Sequence, residues 1–226
     1  MSEQGAMSVE EAIRTRRSVR GFLQREVSDD VLRKIFAVAQ WSPSNCNVQP
    51  WSPHVVSGQT LKRLREALTS AGMRDEPIKP DWPADGVFTG IYRERQVDAA
   101  RTLYGAMGIE RHDAVGRKMA YMRNHAFFDA PHAVFIFMSE PFDTREATDI
   151  GMYAQSVMLL LTAYGIASCA QGALGLFPDV VRDHLGVPSN LKLLFGISFG
   201  YEDPDVKANT ARVGRAEIND VVQFHR

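Results

Sequence analysis

From Asp149 to Asp179 the chain carries no charged side chain, and "IGMYAQSVMLLLTAYGIASCA" (150–170) is long enough to cross a bilayer. Such a run has few possible fates: a membrane span, the centre of a core, or a subunit interface. Gln155, Ser156, Thr162, Ser168 and Gln171 interrupt it, and no Lys or Arg flanks it closely, which argues against a span. A helix apolar on nearly every face suits a core or an interface, so the run reads as a buried helix ending near Gly165. Composition agrees: 226 residues, 45% hydrophobic and 23% charged, is the balance of one globular domain. A net charge of −1 offers nucleic acid or an acidic membrane no bulk attraction. Cys46 and Cys169 are too few for a disulfide framework, and "MSEQGAMSVEEA" lacks the pattern of a signal peptide. Both features point to a reduced, cytoplasmic protein.

Around that helix the other elements alternate irregularly. Ser8 with Glu11 forms a capping box that opens a short helix, and a second begins near Ser28 with Val31, Leu32, Ile35, Phe36 and Ala39 on one face. "HVV" reads as a strand, "TLKRLREAL" as a helix, and 73–90, with Pro77, Pro80 and Pro83, as a mobile loop. Helical patches follow at about 91–107 and 113–124. "AVFIFM" (133–138) predicts a central strand buried on both faces. After the long helix come a strand at 166–171, a helix from Pro178 to Gly186, and a strand from Leu191 to Phe199. The pattern predicts an α+β fold, a mixed sheet between helical layers.

Three constellations carry possible chemistry. "RTRRSVRGF" places Arg14, Arg16, Arg17, Ser18 and Arg20 after the first helix. Arginines there favour the helix dipole, which accounts for the stretch taken alone; guanidinium forks with a serine hydroxyl also suit a phosphate. "GISFG" (196–200) matches the G-x-S-x-G nucleophile elbow, with Asp203, Asp220 and His225 following in hydrolase order. Yet Leu191, Leu193, Phe195, Ile197 and Phe199 alternate without a break, so Ser198 falls inside a strand. The face made of Gly196, Ser198 and Gly200 then implies close packing against the backbone. "CAQGALGLFP" (169–178) lacks a dinucleotide fingerprint; it reads as a loop, or as backbone N–H groups offered to a flat ligand. The six histidines show no metal-ligand spacing, so no metal is expected.

"PSNCNVQPW" (43–51) is rich in side chains that both donate and accept hydrogen bonds. Together, "RRSVRGF", "PSNCNVQPW", "CAQGALGLFP" and "NTARVGR" resemble the FMN-dependent nitroreductase family in order and spacing, from about residue 9 to 222. "DAPHAVFIF" is similar to that family's central strand. The resemblance implies a nitroreductase-like sheet flanked by helices in a domain-entwined homodimer, with FMN at the interface. It implies that Arg16, Arg17, Ser18 and Arg20 hold the phosphate and ribityl chain, helped by Arg215 and Arg212. Pro43, Ser44, Asn45 and Asn47 reach the pyrimidine edge from the partner chain, and Gln49 braces the loop or touches the ribityl chain. Gln171, Gly172, Ala173, Leu174 and Gly175 lie beside the ring with N–H groups near N5. Arg123, with Asn124 as second choice, sits where the family places a polar contact to the ring edge. The implied activity is ping-pong reduction of nitroaromatic or quinone-like oxidants by NAD(P)H, without a catalytic protein side chain.

Two departures stand out. The segment from Met73 to Asn124, before the central strand, is long, so the lid over the flavin is expected there, with Trp82, Phe88, Tyr92 and Tyr104 as candidates for the substrate shelf. "CAQGALGLFP" also lacks the acidic residue that many members carry beside N5, and the pattern sits closest to the nitrobenzoate-type branch. Three other outcomes share the sequence: other flavin chemistry on the same fold (enone or quinone reduction, flavin destruction), a non-catalytic flavin-binding module, and a serine hydrolase at Ser198. The sequence leaves the reductant open between NADH and NADPH.

Overall fold

A computed structural model describes residues 7–74, 76–83 and 86–226. Its centre is a four-stranded sheet of β1 (Trp51–Ser57), β2 (His132–Ser139), β3 (Ala167–Gln171) and β4 (Leu191–Gly200), in the order β1-β2-β4-β3. These strands pair antiparallel throughout; the parallel component is the isolated bridge between Ser18 and Ser168 at the β3 edge. Because side chains alternate along a strand, β2 feeds two cores. Ala133, Phe135 and Phe137 pack on one face with Leu61, Leu64 and Leu68 of α3 (Gly58–Met73) and Val181 of α7 (Pro178–Leu185). Val134, Ile136 and Met138 pack on the other with Leu32 and Ile35 of α2 (Asp29–Ala39) and with α6 (Thr144–Ala163). Helices cover both faces, so the apolar run of β2 is buried along all but its last residue.

The remaining helices are α1 (Val9–Thr15), α4 (Gly90–Met107), α5 (Ala114–Met122) and α8 (Ile218–Val221). Ser8 caps α1 by accepting from Glu11 N–H at 3.1 Å. The uncharged run enters α6, which opens on a capping box of Asp143 and Glu146. Within one chain it buries a single face: Ile150, Tyr153, Ala154, Val157 and Leu161 are buried, whereas Met152 and Tyr164 are exposed. Among the described residues no helix is long and apolar enough to cross a membrane. The 18-residue α4 buries none of its side chains.

The expected mobile loop over 73–90 includes residues 75, 84 and 85, outside those described; the stretch around Asp81 is pinned. Arg182 binds Asp81 at 2.6 and 3.1 Å and Asp179 at 2.5 Å, and Asp81 also accepts from Leu193 N–H at 2.7 Å. Three prolines forbid helix locally, but a buried carboxylate fixes the segment to β4 and α7.

Two buried histidines set an acid limit. His132 Nε2 accepts from Val27 N–H at 2.9 Å while its ring stacks on Phe199, and the His125 ring packs edge-on to Phe177. Burial lowers both from their ordinary 6.5; for His132, Glu26 and Asp29 oppose the shift. With folded values below the unfolded one, the unfolded chain binds more protons in between, so stability is full above about pH 6.5 and is lost as pH falls toward the folded values. Urea midpoints should therefore decline from pH 7 to pH 5. A flat profile would show these rings titrating alike in both states.

Candidate active site

Residues 16–20 leave α1 in extended conformation and lie along β3, with Val19 N–H donating to Ser168 O at 3.0 Å. Alternation therefore sorts the arginines. Val19 goes into the core, and Arg17 turns to Glu202, donating to both carboxylate oxygens at 2.6 Å. Arg16, Ser18 and Arg20 gather beside Cys169, and Arg215 from the tail lies close to Arg16. Burial and then repulsion from Arg215 lower the pKa of Arg16, the sign of cations lacking an anion. The rest meet only neutral oxygens: Arg20 donates to Ser18 O at 3.2 Å, Arg212 to Asn209 O at 2.7 Å, and Arg215 to Gly214 O at 2.9 Å. Among the described residues, none of Arg16, Arg20, Arg212 and Arg215 pairs with a carboxylate, whereas Arg17 is committed to one. Of the expected phosphate ligands Arg17 is thus the one already paired, through Nη2, while its Nη1 is buried without a partner among the described residues.

Asn209 went unnoticed in the sequence. Buried, it accepts from Arg20 N–H at 2.7 Å and donates to Gly21 O and Asp203 O at 2.9 Å, tying "NTARVGR" to the arginine strip. Cys169 is a neutral core thiol: burial raises its pKa, against the pull of Arg20, Ser18 and Arg16.

The loop before β1 is a tight polar knot. Cys46, Asn47 and Gln49 have φ of 48°, 56° and 49°, a conformation that costs non-glycine residues free energy and is held here by specific bonds. Asn45 N–H donates to the buried Asp149 carboxylate at 3.0 Å, Gln49 N–H to Ser44 Oγ at 3.0 Å, and Gln49 Nε2 to Asn47 O at 3.2 Å. Trp51 anchors its end, stacked on Tyr153 at 4.7 Å with Nε1 donating to Gln40 Oε1 at 3.0 Å. Burial pushes the Tyr153 phenol up to about 12. Pro43, Asn45 and Asn47 are exposed, and among the described residues the Asn47 side chain has no hydrogen bond. This loop enters the β1 edge while the arginine strip lies outside β3. The two groups are four strand spacings apart, roughly 19 Å, and one chain does not bring them together.

At the end of β3, Gln171 is buried and fully engaged. Its Nε2 donates to Asn124 O at 3.0 Å and to Asn124 Oδ1 at 3.2 Å, and its Oε1 accepts from Ser198 Oγ. The side chain is thus unavailable to a ligand, and Leu174 likewise points into the core, leaving the backbone of 172–175 as the segment's offer. Ser198 lies within β4, fully buried, and His225 is in the exposed tail, so the hydrolase reading falls. The minimal face has its cause: a Cβ on Gly196 would stand 2.6 Å from Leu174 Cδ1, and one on Gly200 2.7 Å from Pro131. At Gly175 the obstacle is backbone, with Leu194 O at 2.8 Å. Gly175→Ala should therefore displace the turn and cost about 1–3 kcal/mol, read as a lower denaturation midpoint; an unchanged midpoint would mean the turn has room.

Arg20, Tyr104, Tyr121, Arg123 and Asn124 line a cavity of about 70 Å³, and Arg123 is held by Asp129 at 3.0 Å. Tyr104 also borders a cleft of about 590 Å³ along α4. Phe88 and Tyr92 are exposed near the start of that helix. Trp82 departs from the expected shelf: it packs against the α2–α6 core, its Nε1 buried without a partner among the described residues.

The Nitroreductase family model matches residues 13–201. The chain is 42% identical to nitroreductase NfnB of Mycolicibacterium smegmatis over 98% of this chain and 94% of that one. It is 29% identical to 4-nitrobenzoate reductase of Pseudomonas putida over 94% and 93%. The crystal structure of the FMN-dependent nitroreductase NfnB from Mycobacterium smegmatis in complex with NADPH superposes with a TM-score of 0.92 at 41% identity, over 96% of this chain and 97% of that one. An FMN and NADPH-dependent NfnB from Sphigopyxis sp. gives 0.93 at 32% identity, over 97% and 99%.

Proposed function

The chain belongs to the nitroreductase family, and on that footing we propose that it is an FMN-dependent NAD(P)H oxidoreductase acting on nitroaromatic compounds. The observation that carries this reading is the guanidinium group of Arg16, Arg20 and Arg215: half-buried or exposed, free of carboxylates among the described residues, with Arg16 and Arg215 repelling each other. A phosphate dianion relieves that repulsion, so the donor set fits FMN. Arg16, Ser18, Arg20 and Arg215, with Arg212 near them, hold the phosphate end. The backbone N–H groups of 172–175 and the Arg123 side chain address the ring. FMN held by these residues would supply two-electron hydride chemistry between reductant and oxidant. The protein's part is to bind, orient and exclude water.

The functional unit in this reading is a homodimer in which Pro43, Ser44, Asn45 and Asn47 reach the ring edge of the partner's site. Two observations support it. The loop and the strip occupy opposite sheet edges, and an apolar surface is left open beside α2 and α6, where Trp41 is 88% exposed along with Val38 and Met152. α4 and α5 form the lid of the single domain, with Tyr104, beside Arg20 and Arg123, as the residue nearest the shelf and Phe88 and Tyr92 near the lid's leading end. The unpaired Cys46 and Cys169 suit the cytoplasm.

NADPH is the reductant in this reading and nitrobenzoates the substrate class, as in the relatives named for them. Steady-state rates with NADPH and 4-nitrobenzoate should give parallel reciprocal plots, with the hydroxylamine as product. Bound flavin without NADPH-driven nitro reduction would instead make the protein a non-catalytic flavin module.

A further inference from the structure

The G-x-S-x-G stretch loses its role as a nucleophile, yet Ser198 still makes a defined polar contact in an apolar strand. It donates to Gln171 Oε1, and this fixes the Gln171 amide because both remaining partners, Asn124 O and Asn124 Oδ1, are acceptors and require the Nε2 end. The Asn124 amide is fixed in turn by donating to Tyr121 O at 2.8 Å. A single directed chain of hydrogen bonds thus runs Ser198, Gln171, Asn124, Tyr121, from the centre of the sheet to the end of α5. Its last two members line the cavity that also holds Arg20 and Arg123. Its second member is the residue before the 172–175 turn. At the buried Ser198–Gln171 end such a chain enforces one geometry, since flipping the Gln171 amide would leave buried groups unpaired, and it reaches the half-buried Asn124 from there.

We propose that Ser198 is a positioning residue which, through Gln171, sets the 172–175 turn and Asn124 against the flavin ring and so tunes its reaction. The inference rests on the reading that this turn adjoins FMN. It gives the neutral Gln171 a purpose: the amide presents two donors to Asn124 and one acceptor to Ser198, a pattern that neither a carboxylate nor an apolar side chain reproduces.

The test compares holo wild type with Ser198→Ala, Ser198→Thr and Gln171→Leu by visible spectrum, flavin midpoint potential and the split of kcat from KM. Ser198→Ala and Gln171→Leu should displace the potential and lower kcat roughly two- to tenfold, the worth of one neutral hydrogen bond, with KM for the nitroaromatic held within about twofold. Ser198→Thr, which keeps the hydroxyl, should restore both. If Ser198→Ala fails to fold, Ser198→Cys, slightly larger and only a weak donor, should show the same displacement. Potential, spectrum and kcat all unchanged, with only the melting temperature lowered, would make Ser198 a structural brace and overturn the proposal. A wild-type protein that binds no flavin would overturn the functional reading itself, a result distinct from the former.

Discussion

Replacing Arg16 and Arg20 together with alanine should leave a folded protein that no longer retains FMN. Both side chains sit on the same face of an extended segment, both lack a carboxylate, and Arg16 is already depressed by burial and by Arg215. Each charge-assisted contact to a phosphate is worth about 1.5–3 kcal/mol, so one substitution should raise the FMN dissociation constant roughly 10- to 150-fold. The pair should act more strongly than either alone, without strict additivity, because removing one cation relieves the other. Arg17→Ala is the internal control: its Nη2 is already held by Glu202, so flavin affinity should change less than in the Arg16 and Arg20 variants while stability declines. Fluorescence titration of the apoproteins with FMN reads all three. Release of FMN by Arg17→Ala, with retention in the Arg16 and Arg20 variants, would invert the assignment.

Asp81→Ala should be the most destabilising single change at an ion pair. Arg182 and Asp81 have side chains only 10% and 8% exposed, and Asp81 also satisfies the Leu193 N–H. Removing one partner of a buried pair costs about 3–5 kcal/mol, since the other charge stays behind without compensation. Here the exposed Asp179 still reaches Arg182, which places the expected loss near the lower end, about 3 kcal/mol. The double replacement Asp81→Leu with Arg182→Met should recover much of it by substituting packing for charge. Urea denaturation at pH 7 measures both. A loss below about 1 kcal/mol, the range of surface pairs, would mean that water reaches this pair and that the 76–83 segment is not pinned by it.

Elements with strong local periodicity were legible in the sequence. α2, α7, β2 and β4 follow their apolar patterns and punctuation closely, and Gly186 ends α7 in the left-handed region. The unreadable part depended on partners far away in the chain. Alternation separates Arg17 from Arg16 only once the segment is known to be extended, and the partner that claims Arg17, Glu202, lies 185 residues on. Gln171 looked like a ligand contact, but Ser198 and Asn124 had already taken its amide. Trp82 and Tyr104 read alike as aromatics in one long segment, yet Trp82 packs, partly buried, against the α2–α6 core and Tyr104 lines the cavity. The exposed face of α6 shows the limit of such a signal: an uncharged helix reads the same whether its own core or a second subunit is to cover it.

The most direct test of the central claim is the visible absorbance of the purified protein, recorded anaerobically before and after NADPH and then NADH. The expected result is an oxidised-flavin spectrum that NADPH bleaches in a single step. A protein that stays colourless, and that retains no FMN after incubation and gel filtration, would contradict it.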